Sequence, residues 1–422
     1  MRKARWIFAS LVAIALVAAA CGDSKESSST TTKAAGAAVT TAGGAATTAA
    51  APTCKVDRGL KVVGLAEKPP EGPNAIPDYA NGWELAVSEI NAKGGVCGQK
   101  IEFERLAMSP TDVATAKVAY LSALDKKADV TVGMNSSTIV LALAPEVLKA
   151  ATPNIYMSAA SQAFVGAANG VGNEWGFVIR PRNTGSAIIQ ADYLTKDLGK
   201  KKIGLLCATG AFGDGSCAAA KPAIEAAGGT VVSQQSAAVD ATNLTTQILA
   251  FKNAGAEAIL AFEFPNPIVV LYNQMADNSV NVPAMAGASA GLAIATKNVK
   301  ANALPNALGI DDCVPVADTT NKVAIDFTAA YKAKYNLDPG YAAAEAYDSV
   351  YLAAEAVKTA GKLDKKAIAD AIRTITYQGV CDKYKSDAGQ GLHHASFIET
   401  FDAAGKPKIV KTVAIPAPTG GG

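Results

Sequence analysis

Two loops of small hydroxyl residues are the first places in this 422-residue sequence where chemistry could reside. Asn135-Ser136-Ser137 follows the strand-like run Val130–Gly133, and Ser158-Ala159-Ala160-Ser161 follows a second one, Asn154–Met157. In parallel α/β sheets, ligands sit beyond the carboxyl ends of strands. Hydroxyls combined with the backbone N–H groups of a helix start suit a carboxylate. Ser136, Ser137, Ala160 and Ser161 are therefore candidate ligand contacts, although serines at such places also serve simply as helix caps.

Catalysis has little to draw on. The two histidines, His393 and His394, are adjacent, so on a strand they would face opposite sides. A Ser-His-Asp relay would need one of them, and a multi-histidine metal site is not available. Gly210–Gly215 is glycine-rich but lacks the Walker Lys-Ser/Thr pair and the GxGxxG spacing. It reads as a loop that lets the backbone approach a ligand or a facing domain. No metal, no cofactor and no enzymatic activity are expected.

The amino-terminal residues point to export. Arg2, Lys3 and Arg5 precede the uncharged apolar run Trp6–Val17, which is too short for an ordinary membrane span. Residues 1–20 read as a signal peptide. Ala18-Ala19-Ala20-Cys21 resembles a bacterial lipobox, with Ala18 where leucine is usual, and makes Cys21 a candidate for lipidation and membrane anchoring. Residues 21–53 are dominated by Ser, Thr, Ala and Gly, which bury too little apolar surface to offset their ordering entropy. They read as a disordered tether. The other six cysteines, Cys54, Cys97, Cys207, Cys217, Cys313 and Cys381, suggest three disulfides in an exported chain. Proximity favours Cys207–Cys217, and order suggests Cys54–Cys97 and Cys313–Cys381. A formal charge of +2 with mixed signs carries no basic stripe for nucleic acid.

The folded body alternates strand and helix patterns. Lys61–Leu65, Lys100–Leu106, Val130–Gly133 and Asn154–Met157 read as strands, separated by helices over Tyr79–Asn91, from the Thr111-Asp112 caps to about Leu124, and up to about Ala151. After Arg180-Pro181 the rhythm resumes. Ser186–Leu198 and Gly215–Ala227 read as helices, and Lys202–Cys207, Val231–Ser233, Ala258–Phe262 and Ala284–Ala286 as strands. Three successive helices follow, Lys322–Tyr335, Ala342–Thr359 and Lys365–Thr374, then strands Ser396–Phe401 and Ile409–Ala414. Such repeated units imply α/β architecture with parallel sheets covered on both faces. No short sequence repeat is present. Trp83 lies on the apolar face of the first helix and reads as core, while Trp175 falls in a turn-like Gly172–Gly176 segment.

These residues resemble a known family, the type I periplasmic binding proteins of the leucine/isoleucine/valine-binding class. The matching segments, in the family's order, are Val63-Gly64, Gly82–Ala86, Ile90-Asn91-Ala92-Lys93-Gly94-Gly95-Val96, Gly133–Ser137, Ser158–Ser161, Phe212–Gly215 and Tyr347-Asp348, within Cys54–Ala414. The resemblance implies two doubly wound parallel-sheet lobes joined by three crossover strands. Lobe 1 would take residues 54–180 and 311–395, and lobe 2 residues 181–310. Residues 396–422 would hold a crossover strand, lobe 2's carboxy-terminal strands and a tail.

The resemblance also implies a function. The chain would be a monomeric substrate-binding protein that closes over a small-molecule ligand and delivers it to an ABC transporter permease. A ligand-sensing module without transport and an extracellular hydrolase are the alternatives. Family members use positions matching the two serine loops to hold a ligand's carboxylate and amine. Phe212 and Phe264 match aromatic positions of the second lobe. The loop Pro69–Asp78 matches one that lines the cleft. Ser289 stands where amino-acid binders place an acid for the ligand ammonium. Either Glu263 supplies that charge from the neighbouring loop, or the ligand lacks an ammonium and is an amide, a carboxylic acid or an aromatic compound. Glu263 could also be a solvated loop acid, and Phe264 could be core.

Overall fold

The structure is a computed structural model that describes residues 54–67, 78–161, 164, 174–386, 391–393 and 395–414. The signal-like segment, Cys21, the tether, all but the last residue of the Pro69–Asp78 loop, and His394 lie outside them.

The first strand–helix series builds one parallel sheet. Strands β1 (Lys61–Ala66), β2 (Glu102–Ala107), β3 (Val130–Gly133), β4 (Asn154–Tyr156) and β5 (Gly176–Val178) take the order β2-β1-β3-β4-β5. The intervening helices are α1 (Asp78–Ala92), α2 (Val113–Asp125) and α3 (Ser137–Ala150). Asp112 caps α2 by accepting the N–H groups of Ala114 and Thr115, as its position before the helical pattern predicts. β5 was not expected. Its sequence is only Gly-Phe-Val beside a glycine-rich stretch, and tertiary pairing makes it a strand: Asn154 N–H donates to the carbonyl of Trp175 at 2.7 Å. Trp175 lies in a turn, as its segment reads, and its side chain is buried there.

The second series repeats the plan. Helix α4 (Asn183–Asp192), extended by a π-helical turn over Tyr193–Asp197, leads to β6 (Lys202–Ala208), α5 (Ala211–Ala226), β7 (Thr230–Ala237), α6 (Thr245–Asn253) and β8 (Ala258–Phe262). Helix α7 (Pro265–Asp277), β9 (Ala284–Ala286), α8 (Ser289–Ala295) and β10 (Ala307–Asp311) complete it. The parallel strands run β7-β6-β8-β9-β10, the same order as in the first sheet. A topological repeat is therefore present without a sequence repeat. β10 escaped the sequence reading because Ala-Leu-Gly-Ile-Asp follows a proline-containing turn and lacks a β-branched run.

Two starts also moved. α4 begins at Asn183 rather than Ser186, and α5 at Ala211 rather than Gly215. Gly210–Gly215 is thus not a loop. Gly210 makes the turn at φ 105°, and a Cβ on Gly213 would lie 1.9 Å from the Ala208 carbonyl oxygen. The glycines permit a sharp turn and close packing of a helix.

The chain then returns to the first sheet. Helices α9 (Lys322–Tyr335), α10 (Tyr341–Ala360) and α11 (Lys365–Thr374) cover it, with α10 packed on α1. Trp83 is fully buried there, its indole N–H donating to Ser349 Oγ at 3.2 Å. An unexpected small antiparallel sheet follows: β11 (Thr376–Gln378), β12 (Lys383–Ser386) and β13 (Leu392–His393). Finally β14 (Ser396–Phe401) pairs antiparallel with β10, and β15 (Pro407–Val413) with β14, which enlarges the second sheet to seven strands. Separate hydrophobic cores define two lobes. The chain crosses between them after β5, after β10 and after β13.

The three disulfides are Cys54–Cys97, Cys207–Cys217 and Cys313–Cys381, the pairing that proximity and order suggested. Cys313 follows the second crossing, and Cys381 lies in the small sheet's first turn. Asp348 on α10 holds that turn, accepting from the N–H groups of Val380 and Cys381 and from the Tyr384 hydroxyl. Burial pushes this carboxyl up to about 7.

Removing the Cys313–Cys381 link frees a loop with a sequence separation of 68 residues. The double variant Cys313→Ala/Cys381→Ala is expected to lose roughly 3–4 kcal/mol of unfolding free energy in denaturant titrations. An unchanged midpoint would contradict a closed link in the native state.

Candidate functional site

The carboxyl ends of both parallel sheets face one cleft of about 880 Å³, counting its solvent-filled mouth. Lobe 1 supplies the ends of β3 and β4. Ser136 is the N-cap residue of α3, yet its hydroxyl makes no capping bond. Its side chain is buried against the cleft wall. Ser137 is occupied differently: its Oγ accepts from the N–H groups of Ala160 (3.3 Å) and Ser161 (3.2 Å). It ties the β4 loop to the start of α3. The positive end of α3 therefore points into the cleft beside an uncommitted hydroxyl, an arrangement that favours an anion.

Lobe 2 supplies the ends of β6, β8, β9 and β10. Phe212, in the first turn of α5, and Phe264, the N-cap of α7, meet edge to face with ring centroids 5.8 Å apart. Both are half-buried and line the cleft. Between β8 and Phe264 stands Glu263, 1% exposed, with both carboxylate oxygens unpartnered among the described residues. Burial pushes its carboxyl up to about 8. Glu263 is thus not a solvated loop acid. Ser289 begins α8 and also faces the cleft.

The floor is a charge network at the crossings. Arg180, just after β5, pairs with Asp312, just after β10, and its Nε lies 4.0 Å from Glu345 of α10. Burial works against the guanidinium charge, but Asp312 and then Glu345 outweigh it and hold Arg180 above its ordinary value. Glu345 is pushed up to about 7 by burial, with Arg180 opposing and Asp312 assisting. Its Oε2 accepts from the Ser158 N–H and hydroxyl, both at 3.0 Å. Ser158 sits at φ 57°, and its carbonyl accepts from Arg180 at 3.3 Å. Tyr341 stacks its ring 5.6 Å from the guanidinium.

The remaining wall is the inner stripe of α4, with Asn183, Ser186 and Gln190. Gln190 is fully buried, and neither its amide nitrogen nor its oxygen has a partner among the described residues. The Asn183 side-chain nitrogen is likewise unpartnered.

The cleft thus brings together Ser136, Ser137, Ala160, Phe212, Glu263, Phe264 and Ser289. Ser161 does not line it. It lies behind Ser137, joined through its N–H. Sequence reasoning missed Arg180, Asp312, Tyr341 and the α4 stripe. Arg180-Pro181 read only as a boundary, and the α4 polar stripe crossed a helix start that was placed too late. Among the described residues no group of His, Cys, Asp and Glu is arranged to hold a metal.

Comparison with known proteins extends this description. A model of the periplasmic binding protein family matches residues 69–406. Leu/Ile/Val-binding protein homolog 8 of Brucella abortus is 26% identical over 273 residues, 62% of this chain and 66% of that relative, so the match spans about two thirds of the relative's length. The substrate-binding protein LivJ of Streptococcus pneumoniae, solved with isoleucine, superposes with a TM-score of 0.75 at 23% identity, over 85% of this chain and 100% of its own. A solute-binding protein from R. palustris, solved with benzoate, gives 0.75 at 18% identity, over 86% and 98%. At these identities the structures share the fold.

Glu263 generates a stability prediction. The fold holds its proton to about pH 8, whereas an ordinary glutamate releases it near 4.5. Its contribution to stability is full below about 4.5 and is lost as pH rises toward 8. Glu263→Gln should therefore raise the ligand-free unfolding free energy by roughly 1–3 kcal/mol at pH 8 and leave it nearly unchanged at pH 4. Denaturation of both proteins at the two pH values decides, and a variant weaker at pH 8 would contradict the assignment.

Proposed function

The chain belongs to the periplasmic binding protein family, and we propose that it captures a small carboxylate-bearing solute outside the cytoplasm and hands it to an ABC-type permease. One observation carries the reading: uncommitted polar groups from both lobes, Ser136 on one side and Glu263 on the other, converge on a single cleft between them. The solute carboxylate would meet Ser136 and the positive end of α3, beside the Ala160 loop. Phe212 and Phe264 would cover it as the lobes close about their crossings. The relatives' names and structures fit a carboxylate, since isoleucine and benzoate share that group and differ in the ammonium.

The acid for an ammonium falls to Glu263, because Ser289 occupies the place where the resemblance expects one. Binding alone is the proposed activity, without turnover. No helix among the described residues is long and apolar enough to cross a membrane. Cys21, behind its small-residue run, would carry a lipid anchor, and residues 21–53 would tether the binding body as a monomer.

A thermal-shift series on the purified protein tests the reading, using leucine, isoleucine, valine, benzoate and 4-hydroxybenzoate. At least one should raise the melting temperature, since a ligand at 100 times its Kd adds about 2.7 kcal/mol. No shift from any of them would contradict capture of this solute class.

The pH dependence of the binding solute then reports on Glu263. An ammonium solute needs the ionised carboxylate, so affinity should rise about tenfold per unit from pH 6 toward 8. A solute that accepts a hydrogen bond from the neutral acid should bind evenly to about pH 8 and more weakly above it. Affinity that ignores pH across this range would remove Glu263 from the contacts.

A further inference from the structure

Helix α4 brings Asn183, Ser186 and Gln190 onto one stripe, because residues three, four and seven apart share a helix face. That stripe lines the cleft, while Ala187 and Ala191 of the same helix join the lobe 2 core. The placement of Gln190 has no internal explanation. Its side chain is fully buried, and neither amide atom has a partner among the described residues. A buried amide left unpaired destabilises a fold, whereas an apolar side chain of the same shape would not. The Asn183 amide nitrogen and both Glu263 oxygens are in the same condition around the same cleft. A packing role would have supplied partners from within the protein. These atoms are satisfied when something in the cleft meets them.

The charges nearby limit what that something is. Arg180 is committed to Asp312 and Glu345, so this wall offers no free cation to a second anionic group. Gln190 donates and accepts, and Asn183 offers a donor. The matching group is uncharged and itself donates and accepts. We propose that Asn183, Ser186 and Gln190 form a distal polar subsite, and that the solute presents to it a carboxamide or hydroxyl rather than a plain aliphatic end. This rests on the solute-binding reading and sharpens it: the solute is a small carboxylate with a neutral polar group at its far end.

Matched probes test the subsite. Leucine and asparagine have nearly the same shape and differ in the far amide, and benzoate and 4-hydroxybenzoate differ in one hydroxyl. Calorimetric Kd values are measured for all four with the wild-type protein and with Gln190→Met. In at least one pair the polar member should bind about tenfold or more tightly, the worth of about 1.4 kcal/mol, and Gln190→Met should bring that ratio close to one. The ligand-free melting temperature of Gln190→Met should equal or exceed the wild type's.

Apolar members that bind as tightly as their polar partners would overturn the subsite while leaving solute capture standing. So would a polar preference that survives Gln190→Met, which is the result expected if Gln190 meets only a trapped water. A variant that unfolds more readily or fails to fold assigns the amide to the fold and overturns the proposal as well. Failure of all four probes to bind overturns the parent reading, and this one with it.

Discussion

The guanidinium of Arg180, half-buried between carboxylates from two other segments, fixes the junction from which both lobes hang. It leaves lobe 1 at the end of β5, pairs with Asp312 where the chain returns after β10, and faces Glu345 on α10. The third crossing lies alongside, through a parallel bridge between Val178 and Gly391. A buried pair of this kind adds little net stability compared with apolar packing, but removing one partner costs roughly 3–5 kcal/mol by stranding the other. Its value here is positional. Glu345 and Arg180 grip Ser158 by its N–H, hydroxyl and carbonyl. The loop after Ser158 in turn reaches Ser137 and the start of α3. The crossings, the β4 loop and the anion-favouring helix end are one connected set of ion pairs and hydrogen bonds.

The two lobes contribute unlike chemistry through a common plan. Each sheet has the same strand order, so each places its loops in one crevice at its carboxyl end, and the crossings turn the two crevices toward each other. Lobe 1 brings hydroxyls and a helix end, and lobe 2 brings a phenylalanine pair and a buried acid. The lobes meet at the rim, where a Cβ on Gly210 of lobe 2 would come 3.2 Å from Thr138 Oγ1 of lobe 1. A solute held by both walls would lower the free energy of the closed arrangement relative to the open one, which is what closure requires of a ligand.

Much of this was legible in the sequence because local pattern and global fold agree. The β-branched run at Val130–Gly133, the continuous apolar run at Ala258–Phe262 and the Asp112 cap each specify their element without help. β5 and β10 were not legible, since three and five residues with few β-branched side chains become strands only through their neighbours. α5 was misplaced because glycine was read as a loop signal where close packing demands it. Within the cleft, the serine loops and aromatic positions came from strand-end logic and family resemblance. The charge network did not, because Arg180, Asp312 and Glu345 are far apart in the chain and only the crossings unite them. Gln190 carried no signal at all: a glutamine in a helix is ordinary until its surroundings are seen to lack partners.

Capture in this cleft requires one solute to be held by both lobes at once. Amide hydrogen exchange, with and without a saturating carboxylate chosen by its thermal shift, tests it directly. Added protection is expected to appear together in residues 135–140 and 158–161 of lobe 1 and in residues 262–266 and 287–291 of lobe 2. Protection confined to one lobe, or placed away from these loops, would contradict it.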